Sequence, residues 1–159
     1  MENYIVFIRS SKINKNLMEK RIMEYCENSL TYQEYVSLRR SVGWNNFAEE
    51  QVAYSINNSA YNITVVDDNR TIAMGRLIGD GIYYLLVDIV VNPEFQGKGI
   101  GSKIVDMLLA YVDNRTPTGG RASVQLIAEQ GKEEFYIKRG FKIIPHGFCG
   151  SGMRKIIRK

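Results

Sequence analysis

The sequence predicts a single α/β domain (an α+β arrangement) whose central β-sheet is mixed, mostly antiparallel, and flanked by helices. Two β-rich runs at residues 62–67 and 71–78 surround a turn and predict a β-hairpin. A nearly continuous apolar run at residues 83–91 predicts a strand that is covered on both faces. A glycine-rich turn and a long amphipathic helix follow that strand. Strands combined with crossover helices in this order produce a mixed sheet with helical layers.

The expected elements before the hairpin are one strand and two helices. A short strand is expected at residues 21–25, and a helix should follow from the capping box Thr31–Glu34 to about Ser41. Gly43 is expected to end this helix. A second helix should begin after Asn46 by the same capping logic and stop at an Asn-Asn-Ser run. The side chains expected to face inward from the second helix are Ala48, Val52 and Ile56.

The elements after the apolar strand are two helices and three strands. The first helix carries a broad apolar stripe over residues 100–112. A strand is expected at residues 123–128, and a short helix at residues 132–138 should end at a glycine. Residues 141–144 and 153–157 are expected to form two final strands that a loop connects.

The 159-residue chain is long enough for one domain with its own core. Residues 1–17 are expected to form an N-terminal extension of unknown role, and residues 18–159 the domain itself, since Met18 is a second plausible start. No apolar run approaches the ~20 residues that a membrane helix needs. The N-terminus also lacks the basic region of a signal peptide. A cytoplasmic protein that does not act at a membrane is therefore expected.

Composition argues against several classes of site. Cys26, Cys149 and the single histidine His146 are too few for a disulfide framework or a structural zinc site, so no metal is expected. The formal net charge is +4, but the basic residues are scattered and cluster only at residues 154–159. A nucleic-acid-binding face would need a basic surface with stacking aromatic residues, so no nucleic acid partner is expected. Mild positive charge suits an anionic cofactor equally well.

The most informative segment is the glycine-rich turn Gln96-Gly97-Lys98-Gly99-Ile100-Gly101. It lies between a strand and a helix, and a helix N-terminus presents unpaired N–H groups with a partial positive charge. Glycines let the backbone approach phosphate oxygens closely, so the turn predicts an anion site. A P-loop motif is absent from the sequence, and the glycine spacing is one residue short of the dinucleotide fingerprint. The pyrophosphate of coenzyme A is the third candidate.

These residues resemble the GNAT superfamily of acyl-CoA N-acyltransferases. The family pattern [QR]-x-x-G-x-[GA] after a strand matches Gln96–Gly101 at every fixed position. Residues 135–141 (FYIKRGF) resemble the later family motif F-Y-x-x-x-G-F, and residues 31–44 resemble the first helix of one branch of small members. The resemblance extends over residues 21–157 in order.

The resemblance implies acetyl-CoA as the co-substrate. In the family, the strand before the glycine turn separates from its neighbour, and its free backbone groups hold the pantetheine arm. The turn and the start of the following helix hold the pyrophosphate. The implied cofactor-binding residues are Ile89, Val90, Val91, Gln96, Gly97, Lys98, Gly99, Ile100, Gly101 and Ser102.

Two residues are candidates for proton transfer. Direct transfer from a thioester to an amine needs a base for the amine proton and an acid for the leaving thiolate. Tyr136 occupies the position where the family often has a tyrosine acid, and its alternative role is packing beside Phe135 and Phe141. Asp88 interrupts the apolar strand and could serve as the base, with its pKa raised by burial. The alternative for Asp88 is a structural carboxylate bonded to the backbone or to a neighbouring basic residue.

The acceptor is expected to be a primary amine of a small molecule. Tyr32, Tyr35 and Trp44 lie where the first helix of the family covers the acceptor pocket, and core packing is their alternative role. Two other functions stay open: acetylation of a protein or peptide amine, and a CoA-binding regulatory module without turnover. For residues 1–17, the alternative to a dispensable extension is an arm that supports a homodimer.

Overall fold

A computed structural model describes residues 23–158. The expected extension at residues 1–17 lies outside the described residues, as does the beginning of the strand expected at residues 21–25. The strands are β1 (Glu24–Glu27), β2 (Tyr61–Asp67), β3 (Arg70–Gly79), β4 (Tyr83–Val91) and β5 (Ser123–Leu126). The helices are α1 (Tyr32–Ser41), α2 (Glu49–Asn57), α3 (Ile100–Arg115) and α4 (Glu133–Ile137), and a short 3₁₀ helix (Pro93–Phe95) follows β4.

The sheet confirms the predicted mixed, mostly antiparallel architecture. Within residues 23–158 it has five strands, which lie in the order in which they occur in the chain. Neighbouring strands from β1 to β4 are antiparallel, whereas β5 is parallel to β4. Parallel neighbours require a crossover connection, and α3 provides it.

Helix α3 packs on one face of the sheet and forms the larger core. Ile104, Val105 and Leu108 on this helix are fully buried. Gly75 in β3 allows the close approach, because a Cβ atom at this position would overlap the Ile104 side chain and also touch Ile89. The predicted apolar stripe of α3 is therefore the surface that holds this helix to the sheet.

Helices α1 and α2 cover part of the opposite face. The capping box predicted for α1 is confirmed, with Thr31 accepting from the Glu34 backbone N–H and Glu34 reaching back to Thr31. The expected cap at Asn46 is wrong, because α2 begins after Ala48 with no side-chain cap. Ala48 is exposed rather than inward, while Val52 is buried as expected. A β-region backbone at Ala48 starts the helix without side-chain assistance.

A β-bulge in β4 changes which residues face which helix. Arg76 pairs with Val87 and Met74 with Val90, so the single residue Gly75 lies opposite both Asp88 and Ile89. Asp88 has φ +52°, a left-handed value that only a few non-glycine residues adopt. Before the bulge, Tyr84 and Leu86 belong to the α3 core, and after it Val90 packs with α1 and α2. The bulge thus reverses the alternation of side chains halfway along β4.

The expectation that β4 is covered on both faces holds only for part of its length. Tyr83 is 64% exposed and Leu85 is 37% exposed. They lie on the face that α1 and α2 cover, but those helices pack over the other end of the sheet, near Met74 and Val90. The first half of β4 therefore has one solvent-facing side.

The two final strands expected at residues 141–144 and 153–157 are absent from the described structure. Residues 141–158 contain only an isolated bridge between His146 and Cys149. Ile143, Met153 and Ile157 are largely exposed. Apolar alternation makes a segment compatible with a strand, but a strand also needs a partner and a surface to cover. None of the helices within residues 23–158 is long and apolar enough to cross a membrane.

Candidate functional site

Strands β4 and β5 separate after a short parallel ladder. Pairing joins Tyr83–Leu86 to Ser123–Leu126 and ends there, while β4 continues to Val91 along β3. Residues 87–91 of β4 therefore have no pairing with β5. The strand expected to reach residue 128 stops at Leu126 because β5 has left its partner.

A cavity of about 870 Å³ opens where the two strands separate. Its walls are residues 85–91 of β4, the glycine turn with the start of α3, and residues 126–136 after β5. Val42, Trp44, Phe95 and Arg154 also line it. A largely apolar cleft of this size with a few polar groups is typical of a small-molecule or cofactor site.

The glycine turn has the backbone conformation that an anion cradle needs. Gly97 and Gly99 have φ values of +74° and +80°, which side-chain-bearing residues rarely adopt. Gly99 is the N-cap of the 16-residue helix α3, and no side chain caps the first N–H groups of that helix. A Cβ atom at Gly101 would lie 3.5 Å from Val91 Cγ2 and 3.6 Å from Phe135 Cζ, inside the cleft. The N-terminus of α3 thus presents backbone donors at one end of the cavity.

The structure brings together nearly all of the expected cofactor-binding residues. Except for Lys98, every one of them lines the larger cavity. Lys98 instead places its ammonium group 4.7 Å from the centre of the Phe95 ring. Gln96 has a role that the sequence did not reveal, since its Nε2 donates to the Val91 carbonyl at 2.9 Å. This bond ties the glycine turn to the end of β4.

Tyr136 lines the same cavity. Its ring makes edge contacts with Phe135 at 4.9 Å and Phe141 at 6.0 Å between ring centres. Burial raises the pKa of the Tyr136 hydroxyl, with a smaller opposing effect from Arg139. The phenol is therefore a neutral donor at physiological pH. Tyr136 therefore packs against Phe135 and Phe141 and also lines the cavity.

Asp88 is bonded to two buried arginines. Its Oδ1 accepts from Arg39 Nη1 at 2.6 Å, and its Oδ2 accepts from Arg76 Nε at 2.9 Å. The Tyr35 hydroxyl also donates to Oδ1, at 3.4 Å. This is the structural alternative for Asp88, a carboxylate paired with neighbouring basic residues. Both of its oxygens are engaged by guanidinium groups, which does not suit a proton acceptor.

A second, smaller cavity of about 310 Å³ lies on the α1 and α2 side of Asp88. Arg39 and Arg76 line it, and neither residue was expected at a site from the sequence. The sequence position of each arginine does indicate a buried charge. Arg39 follows the buried Leu38 on α1, and Arg76 interrupts the apolar strand β3.

The three residues expected at the acceptor pocket lie in different places. Trp44 lines the larger cavity and Tyr35 lines the smaller one. Tyr32 lines neither of them and packs at the edge of the α1 and α2 core. Burial and the nearby Asp88 carboxylate raise the pKa of Tyr35. The three aromatic residues on and just after α1 thus divide between the two cavities and the core.

No cluster of three or more His, Cys, Asp or Glu residues that could hold a metal ion occurs within residues 23–158. Cys26 and Cys149 are free thiols.

Comparisons with known proteins agree with this geometry. Residues 59–143, more than half of the chain, match the family model described as an acetyltransferase (GNAT) domain. An uncharacterized N-acetyltransferase ycf52-like protein of Prochlorococcus marinus is 29% identical over 119 residues, which cover 72% of this chain and 64% of that relative. The match thus spans slightly less than two thirds of the relative's length.

Solved structures share the fold. A GNAT-family acetyltransferase from Streptococcus pneumoniae superimposes with a TM-score of 0.71 at 25% identity, over 87% of this chain and 100% of the other. A GNAT-family acetyltransferase from Brucella melitensis, solved in complex with acetyl-CoA, has a TM-score of 0.55 at 21% identity, over 77% and 84% of the two chains. The separated β4 and β5 strands and the glycine turn at α3 agree with the match to the family model. The chain therefore belongs to the GNAT family of acetyltransferases.

Proposed function

We propose that this chain transfers the acetyl group of acetyl-CoA directly to a primary amine of a small molecule. The observation that carries the proposal is the cavity between β4 and β5, which ends at the uncapped N-terminus of α3. Such a cavity suits a long ligand with an anionic end and an amide-bearing arm. Coenzyme A has both features.

The pyrophosphate is proposed to bind at the glycine turn. The residues fit this group, because the positive φ angles of Gly97 and Gly99 leave the backbone open and no side chain occupies the cap of α3. Partial positive charge at a helix N-terminus favours an anion. The amide groups of the arm are proposed to pair with the backbone of residues 89–91, in the way that an extended chain adds to a sheet edge.

Acetyl-CoA supplies an activated acetyl group, and the protein positions the amine and manages protons. We assign Tyr136 as the acid for the leaving thiolate, because it lines the cavity and its raised pKa keeps it protonated. Asp88 is assigned a structural role instead of a base role, since two arginines engage it. Water in the open cleft is the proposed acceptor of the amine proton.

A small acceptor is favoured over a peptide by the size of the cavity beside Asp88, about 310 Å³. A peptide amine would need a longer groove. A regulatory module without turnover would keep the glycine turn but would not need an acid, and the position of Tyr136 favours an enzyme.

The test is an amine-panel assay with acetyl-CoA that follows the release of free thiol, together with calorimetric titration of CoA, ATP and NAD. We expect thiol release with at least one small amine, and binding of CoA without detectable binding of ATP or NAD. Tighter binding of ATP than of CoA would contradict the cofactor assignment. Binding of CoA without turnover on any small amine or peptide would favour the regulatory module.

A further inference from the structure

We propose that the smaller cavity beside Asp88 is the acceptor site and that it selects amines that also carry a carboxylate. The inference rests on the proposed function and names its substrate class. It is carried by an unequal set of buried charges on the wall of this cavity.

Two cations and one anion line the smaller cavity. The side chains of Arg39, Arg76 and Asp88 are only 11%, 3% and 9% exposed. Among residues 23–158, Asp88 is the only acidic residue that lines the cavity, so the described wall carries a formal net charge of +1. A buried charge without a counter-charge is strongly unfavourable, and an anionic ligand would compensate for it.

The arginines are positioned by neutral groups as well as by Asp88. Arg39 donates from Nε and Nη2 to the Asn45 carbonyl, and Arg76 donates from Nη1 and Nη2 to Ser59 and Ser55. These bonds fix the two guanidinium groups but add no negative charge. Each arginine gives only one N–H to Asp88, so neither forms the two-bond fork with it.

The walls around the charges suit a compact molecule. Tyr35 and Phe47 contribute aromatic surface, and Phe47 is 55% exposed, which places it at the mouth of the cavity. The volume of about 310 Å³ is at the lower end of the range for ligand pockets. An amino acid is therefore a suitable occupant, and a folded protein surface is not.

The smaller cavity adjoins the larger one at the bulge of β4. Val87 and Asp88 line both cavities. An acceptor whose carboxylate meets Arg39 and Arg76 can direct its amine past these two residues toward the thioester. The amine nitrogen then forms a bond to the acetyl carbonyl carbon as the C–S bond breaks. The amine proton passes to water, and Tyr136 gives a proton to the thiolate.

The first experiment compares matched amines in the thiol-release assay. Each set contains a free amino acid, its amide and its decarboxylated amine, with apolar, aromatic and polar side chains represented. We expect kcat/KM for the amino acids to exceed that for both analogues by about 10-fold or more, because the analogues leave the charges uncompensated. Equal or better use of the decarboxylated amines would overturn the inference and leave the proposed function standing.

The second experiment changes the charge of the wall without touching the arginines. Gln51 lines the smaller cavity and is exposed, so Gln51→Glu adds one negative charge there. The matched control is Ala53→Glu, on the same helix but not on the cavity wall. We expect Gln51→Glu to remove the preference for amino acids, with KM for acetyl-CoA unchanged, and Ala53→Glu to retain the preference.

Calorimetric titration of the same amino acids into the CoA-bound protein gives a readout that does not depend on turnover. Binding that Gln51→Glu weakens about 10-fold and Ala53→Glu leaves intact supports the site even if no acetyl transfer is found. If the parent neither binds nor acetylates any carboxylate-bearing amine, the inference is overturned, whatever the outcome with CoA.

Discussion

Asp88 Oδ1 lies 2.6 Å from Arg39 Nη1, and this ion pair connects the bulge of β4 to helix α1. Arg76 approaches the other oxygen of the same carboxylate from β3. The bulge therefore does more than reverse the side-chain alternation of β4. It also places a carboxylate between two arginines, at the boundary of the two cavities.

Asp88→Asn is expected to lower the free energy of unfolding by about 3 kcal/mol, because it leaves two buried guanidinium groups without a counter-charge. Urea unfolding measures the change. The control is Glu94→Gln, which removes a surface partner of Arg70 that is 67% exposed. That change should cost less than about 1 kcal/mol. If Asp88→Asn is as stable as the parent but has a lower kcat, and its pH–rate profile no longer falls at acidic pH, then Asp88 acts as the general base.

Tyr136→Phe is expected to lower kcat about 10²-fold and to change KM for acetyl-CoA little. The proton is needed as the C–S bond breaks, and general acids contribute at least this much. The phenyl ring keeps the contacts with Phe135 and Phe141, so the thermal unfolding midpoint should hardly change. Because burial raises the pKa of Tyr136, the acid form should persist through neutral pH, with loss of activity only at a pH more alkaline than an ordinary tyrosine needs to ionise. An unchanged kcat would leave Tyr136 with packing alone.

Gly99→Val is expected to abolish binding of CoA in calorimetry. Gly99 has φ +80°, and a β-branched residue resists that value and adds bulk where the phosphates are proposed to lie. Gly119→Val is a matched control, since Gly119 has φ +78° in a turn after α3 and does not line the cavity. Both variants should lose similar stability from backbone strain, but only Gly99→Val should lose CoA. Parent-like affinity in Gly99→Val would place the pyrophosphate elsewhere.

Deletion of residues 1–17, with Met18 as the new start, is expected to leave acetyl transfer unchanged. Among residues 23–158, those that line either cavity follow residue 41 or belong to α1, and the family model matches only residues 59–143. Steady-state kinetics compare the truncated and full-length chains, and light scattering reports their oligomeric states. A truncated chain that folds but loses both activity and a dimer would identify residues 1–17 as a dimer arm.

Much of the fold could be predicted because its signals are local. The capping box of α1 requires only Thr31 and Glu34, and the hairpin of β2 and β3 requires a turn between two β-rich runs. Part of the larger cavity could also be predicted, since two of its walls, residues 89–91 and 96–102, are nearly continuous in sequence. The final strands were not predicted correctly, because alternation at residues 141–157 does not tell whether a neighbouring strand is present.

The sequence by itself determined the family pattern, the glycine turn and the order of strands and helices from β1 to α4, since each depends on neighbouring residues and their backbone preferences. Only the tertiary structure decided the environment of Asp88. Its partners are 49 residues away on α1 and 12 residues away on β3, and the bulge turns the carboxylate toward both. The strength of a charge pair depends on the distance between its groups and on the exclusion of water. Both are set only after folding, when groups that are distant in sequence meet. The chemistry of the smaller cavity therefore arises from the packing of α1 and α2 against the sheet.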